Sequence, residues 1–135
     1  MNAAATLAGL PAFLLHFGVA IALLVAFCTI YVHATPYHEF ALIKAGNTAA
    51  ALAFGGAILS FCLPLHAALS NSVSVFDFAV WGAIALVVQL GVFFVLRLIF
   101  RDLPKRIAEN QNAAGGFVAA VSLGVGLLNA ASMTY

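Results

Sequence analysis

Near-continuous apolar sequence recurs four times along this chain, over residues 11–33, 47–69, 78–100 and 113–133, with polar residues gathered in the connections between runs. Each run holds about 20 residues, and an α-helix of that length crosses the ~30 Å of hydrocarbon in a bilayer. The pattern predicts an all-α membrane protein in which residues 1–135 form a single membrane domain with four transmembrane helices. Connections this short have room for turns and interfacial helices only.

Composition agrees: 65% of positions are hydrophobic and 7% charged, whereas an ordinary soluble domain carries about a quarter charged residues. With a net charge of +1 and no basic face beyond the helix flanks, nucleic acid is excluded as a partner; the lipid bilayer is the expected one. The basic residues also set the topology. Lys44, Arg97, Arg101, Lys105 and Arg106 all lie in or beside the connections after runs 1 and 3, and none falls elsewhere. Cytoplasmic loops collect Lys and Arg, so both termini are expected in the periplasm. Run 1 lacks a basic n-region and is too long for a signal-peptide core, which argues against cleavage. By depth, Cys28 falls toward the inner side and Cys62 toward the outer, too far apart for a disulfide.

Displacing the chain by 65 positions lays runs 1 and 2 on runs 3 and 4: Phe13 meets Phe78, Ala20 meets Ala85, Lys44 meets Glu109 and Asn47 meets Asn112. The chain is therefore expected to hold two parallel-orientation repeats of a two-helix unit, at about 11–69 and 76–135, related by an axis along the membrane normal. Apolar spans draw on few residue types, so chance similarity is the competing explanation. Thr35-Pro36 and Asp102-Leu103-Pro104 each suit the start of a short interfacial helix. In the first, Phe40, Leu42 and Ile43 would face lipid while Glu39 and Lys44 face water. Ser74 and Asp77 have the spacing of a capping box for run 3. Trp81 and Tyr135 suit the outer interface, and Tyr31 and Tyr37 the inner one.

Runs 2 and 4 carry small residues at every fourth position: Ala49, Ala53 and Ala57, then Ala51 and Gly55, and in run 4 Gly116, Ala120 and Gly124. Such rows let helix backbones approach closely, which favours association within lipid. Runs 2 and 4 are expected at the centre of a homo-oligomer, with runs 1 and 3 toward lipid. Small residues are common in membrane helices in any case.

Polar groups within the spans are the candidate functional residues, because each is costly without a partner. Gln89 lies near the middle of run 3, where an amide most simply bonds between helices; Asn129 and Ser122 belong to run 4. His16 and His66 have similar outer depths and could meet, although two histidines make an incomplete zinc site. The simpler expectation is that each donates to a carbonyl, His66 to one freed by Pro64. Asn47 and Asn112 are placed as N-caps of runs 2 and 4, and with Lys44 their helix ends could also hold a lipid phosphate. No carboxylate falls inside a run, which disfavours a proton-coupled pump. No Ser-His-acid, HExxH or phosphate-loop arrangement is present, so no enzymatic activity and no cofactor is expected.

The stretch from Glu39 through Lys44-Ala45-Gly46-Asn47-Thr48 to Gly55-Gly56 resembles the YjfL-like bacterial inner-membrane proteins, the family of domain of unknown function 350. The resemblance continues through Phe76-Asp77-Phe78, Trp81, Gln89, Asn112-Ala113-Ala114-Gly115 and the tail from Asn129 to Tyr135, covering nearly the whole chain. It implies a duplicated two-span unit in the bacterial inner membrane, often encoded near envelope-stress or polyamine-related genes, with no established activity or catalytic residues. Two functions fit these features: a non-enzymatic oligomer supporting envelope integrity, with an envelope protein as a candidate partner, or an ion or small-solute conduit at a subunit interface. Small-residue helices, Gln89, Asn129 and Ser122 favour the conduit; the lack of a charged selectivity ring counts against it.

Overall fold

The computed structural model describes residues 2–133, and within them the chain is helical from end to end. In order the helices are α1 (Ala3–Thr6), α2 (Leu10–Ala34, joined to α1 by a 3-10 turn), α3 (Glu39–Lys44), α4 (Thr48–Asn71), α5 (Val75–Ile99), α6 (Leu103–Ala108) and α7 (Asn112–Ala131). Four segments are long and apolar enough to cross a membrane: Ala3–Ala34, Thr48–Asn71, Val75–Ile99 and Asn112–Ala131. α3 and α6 are the short interfacial helices, lying after the first and third spans.

The first span is longer than hydropathy alone suggests. Ala3–Ala34 holds 32 residues, about 48 Å of helix against a ~30 Å hydrocarbon core. The His16 ring stacks on Phe78, the fourth residue of α5, at 6.4 Å between centroids, and Leu23 sits beside Gly82. The helix before His16 therefore projects past the start of α5, and Leu7, Leu10, Phe13, Leu14 and Leu15 are all exposed.

α4 is the central helix. It touches α2, α5 and α7 as well as both short helices, and its closest partner is α7. α2 and α5 run parallel, with Tyr31 against Phe93 as His16 is against Phe78. α4 and α7 are parallel too, Gly115 lying on Ala49 and Gly126 on Ser60. Toward the middle, α2, α4 and α5 share an aromatic core in which Phe27 stacks on Phe61 at 4.8 Å and Tyr31 on Phe54 at 5.5 Å. Toward the basic end this gives way to Ala49, Ala50, Ala53, Val92, Leu96, Leu103, Ile107, Ala114 and Val118. Tyr31 is thus a core residue, 2% exposed, and not an interfacial anchor: its ring packs among Phe27, Phe54 and Phe93. Cys28 and Cys62 are free, yet the Phe27–Phe61 stack puts their neighbours at one level, because α2 is displaced outward. Tyr135 lies outside the described residues.

Both short helices end in the same way. Gly46 (φ 91°) and Asn110 (φ 60°) occupy the left-handed region, where glycine and asparagine are the residues that fit with least strain. The Asn47 N–H then bonds the Leu42 carbonyl at 2.8 Å and the Gln111 N–H bonds that of Arg106 at 3.0 Å, closing a Schellman turn. The matching pairs are Gly46 with Asn110 and Asn47 with Gln111, one residue off the expected register. The link into α3 (35–38) is one residue longer than the link into α6 (100–102), so, counted from the two turns, Lys44 falls level with Ala108 and not with Glu109. That extra length also delays α3, which begins at Glu39 rather than at Pro36.

Candidate functional site

Three polar constellations interrupt the apolar interior. The first ties α4, α5 and α7 together deep in the bundle. The Gln89 side-chain amide, 4% exposed, donates to Ser60 Oγ at 3.1 Å and to the Ser122 carbonyl at 3.3 Å. Its carbonyl oxygen accepts from the Asn129 amide at 3.2 Å, and the Ser60 hydroxyl donates to the Ala57 carbonyl at 2.6 Å. Both ends of the Gln89 amide are engaged, so the network ties the three helices together. Pro64 shapes the same place, since it has no N–H for the Ser60 carbonyl. That carbonyl faces Gly126 instead: a Cβ there would lie 2.4 Å from it.

The second constellation stands at the basic end. Asn47 caps α4 by accepting from the Ala50 N–H at 2.8 Å. Its amide also donates to the Ile107 and Ala108 carbonyls at the end of α6, at 3.1 and 3.2 Å; the first also accepts from the Asn110 N–H. The Ala49 N–H is met across the gap by Asn110 Oδ1 at 3.1 Å. Asn112 does none of this. It is the first residue of α7, it is exposed, and Gln111 holds the cap position without a side-chain bond. With every Asn47 donor already engaged, the helix ends offer a lipid phosphate nothing from that side chain. Lys44 and Glu109 are both exposed, and no ion pair joins them among the described residues. Arg97 donates to the Ala34 carbonyl at 3.0 Å, fastening α5 to the end of α2. At the opposite end Ser74 caps α5 through the Asp77 N–H, and Asp77 reaches back to the Val73 N–H, both at 3.1 Å.

The third constellation contradicts the expectation that Glu39 faces water. Glu39 is completely buried, because α3 folds back with its first turn against the aromatic core. The Thr35 hydroxyl donates to Glu39 Oε1 and lies 3.0 and 3.2 Å from the Val32 and Tyr37 carbonyls. Glu39 Oε2, Tyr31 Oη and Tyr37 Oη are buried without a hydrogen-bond partner. Burial pushes the Glu39 carboxyl above the usual carboxylate range, with the Thr35 hydroxyl working against that rise. Burial likewise raises the Tyr37 phenol, and the neighbouring Glu39 adds to the effect. The one legible hint was Thr35-Pro36, since proline cannot donate to the Val32 carbonyl and turns the chain inward.

The two histidines do not meet. The His16 ring lies against Phe78 with Nδ1 2.7 Å from the Ala12 carbonyl, and His66 is exposed on α4. Of the small residues, Ala49, Ala53 and Ala57 are buried against neighbouring helices. On α7 the residues facing α4 are Gly115, Ala119 and Gly126, with Gly56 of α4 against Ala119. Gly116 and Gly124 have nothing within 4 Å of an added Cβ, nor does Gly55, and Ala120 is exposed. The row expected to pack centrally on α7 thus points away from the bundle, one residue out of phase with the row that does.

Four helices long and apolar enough to cross a bilayer define an integral membrane protein. Residues 5–133 match the family described as Domain of Unknown Function (DUF350), and the chain belongs to that family. It is 44% identical over 126 residues to the UPF0719 inner membrane protein YjfL of Escherichia coli (strain K12), covering 93% of this chain and 96% of that protein. It is also 30% identical over 120 residues to the UPF0719 transmembrane protein YshE of Bacillus subtilis (strain 168), covering 87% and 90%. No solved structure matches.

Proposed function

We propose that this inner-membrane protein is a non-enzymatic, self-associating component that supports the integrity of the bacterial envelope. The observation that carries this reading is the double character of α7. One small-residue face is consumed against α4, while Gly116, Ala120 and Gly124 form a second that nothing among the described residues covers. In lipid, a bare small-residue ridge brings a second helix close enough for strong packing. The buried polar groups of α4, α5 and α7 bond one another, which favours a packed scaffold over a conduit through the subunit. The matching turns after α3 and α6 support two copies of a two-helix unit, about 11–69 and 76–135. Clustering of Lys44, Arg97, Arg101, Lys105 and Arg106 around one end supports periplasmic termini.

Replacing Gly116 and Gly124 together with Ile should abolish crosslinked oligomers in membranes while the subunit still folds. Unchanged crosslinking would remove α7 as the contact, and ion flux through liposomes containing the purified protein would overturn the scaffold reading. For orientation, cysteines placed at Ser72 and Arg101, in a chain lacking Cys28 and Cys62, should label from outside and inside respectively. The reverse pattern would invert the topology.

A further inference from the structure

The Glu39 constellation is the place among the described residues where buried side-chain oxygens lack a hydrogen-bond partner. Around Thr35 Oγ stand Glu39 Oε1 and the Val32 and Tyr37 carbonyls, yet one hydroxyl carries one proton. The Val32 carbonyl is left over because its helical partner position is Pro36, which has no N–H. Beside them Glu39 Oε2 and the Tyr31 and Tyr37 hydroxyl oxygens are buried and unpartnered. The two phenols and the carboxylate are near enough to act on one another electrostatically. Among the described residues no lysine or arginine forms an ion pair with Glu39, and the adjacent His38 only partly offsets the effect of burial. A buried charge of this kind is several kcal/mol unfavourable unless something of opposite sign meets it.

We infer that Glu39, Tyr31 and Tyr37 form a site for one alkali-metal cation at the basic end of the bundle. Hard oxygen donors select hard cations. A single carboxylate with neutral hydroxyls balances one positive charge, whereas calcium sites recruit several carboxylates and magnesium keeps an octahedral shell of water and oxygen. The Thr35 hydroxyl has a defined part: it holds Oε1 and leaves Oε2 as the free carboxylate oxygen. A bound cation would pin the 35–38 link and α3 onto α2 and α4, coupling the ionic content of the adjoining solution to the packing of this connection. A proton on Glu39 would remove the charge without any cation, and the salt titration below separates that state from a cation site. A buried water would satisfy all three oxygens without neutralising the charge.

The test is thermal unfolding of the purified full-length protein in detergent, titrated with NaCl, KCl or choline chloride at constant ionic strength and one pH. The site predicts a saturable rise in melting temperature with sodium or potassium and none with choline; the salt that saturates at lower concentration identifies the preferred ion. Glu39→Gln should abolish the rise. Tyr37→Phe, which removes one ligand and keeps the ring, should move the half-saturation point about 10–100-fold higher. Equal behaviour in all three salts overturns the site, as a buried water or proton would produce. So does an alkali-specific rise with an unchanged midpoint in Glu39→Gln or, if that variant fails to fold, in Tyr37→Phe.

Discussion

Gly115 and Gly116 are neighbours on α7, yet they belong to different surfaces. A Cβ on Gly115 would lie 2.3 Å from the Ala49 carbonyl oxygen and 2.8 Å from its Cα, whereas one on Gly116 would meet nothing within 4 Å. Successive helix residues are separated by about 100°, so two rows of identical composition look in different directions. The inner row of Gly115, Ala119 and Gly126 sets the spacing of α4 and α7, and through it the position of Ser60 under Gln89. The outer row of Gly116, Ala120 and Gly124 makes no such approach among the described residues. Small residues thus mark where a backbone approach is permitted; what approaches is decided by the register of the partner helix.

The sharpest way to break this contrast is a pair of valine substitutions. Gly115→Val must displace backbone atoms of α4, which have no rotamer by which to escape, and should cost about 3 kcal/mol or more. Folded protein recovered from detergent should fall sharply. Gly116→Val should melt like the parent, and any loss comparable to Gly115→Val would show that the two faces are not distinct. Next in size is the asparagine pair. Asn47→Ala removes a cap and two bonds to the end of α6, about 1–2 kcal/mol; Asn112→Ala should change stability by less than about 0.5 kcal/mol. Asn47→Asp keeps the acceptor for the Ala50 N–H but loses both donors, so thermal denaturation should place it between the parent and Asn47→Ala. The third effect is expected at Gln89→Leu. Interhelical hydrogen bonds in membranes average about 0.6 kcal/mol, so this variant should lose about 1 kcal/mol and keep its fold. A loss above that of Gly115→Val would mean that the amide network, not the close backbone contact, positions α7.

Much of the architecture was legible along the chain because it depends on local chemistry. Leu, Phe, Val and Ile in runs of membrane length name the four spans, and Asn47 at the head of an alanine-rich run names its cap. The candidate site was less legible. Gln89 was visible as a lone amide within a span, but Ser60, one of its two acceptors, carries no distinguishing mark in sequence. Asn110 gave only the general preference of asparagine for the left-handed conformation, and Asn112, with the same neighbours by repeat, drew the cap assignment that Gln111 holds. Glu39 was the largest reversal. A charged residue at the head of a short amphipathic helix reads as solvated, and only the fold of the 35–38 link carries it beneath Tyr31 and Tyr37.

Sequence alone determined the class of protein, the number of spans and the end at which the basic residues collect. Each follows from transfer free energies and helix geometry that act residue by residue, whatever the rest of the chain does. Tertiary structure decided which of two small-residue rows on α7 is interior, which asparagine bridges to α6, and that one glutamate lies among unpartnered oxygens. These depend on helix rotation and on a one-residue difference between two links. A single residue turns a helix face by ~100°, and no local property of the sequence records that angle.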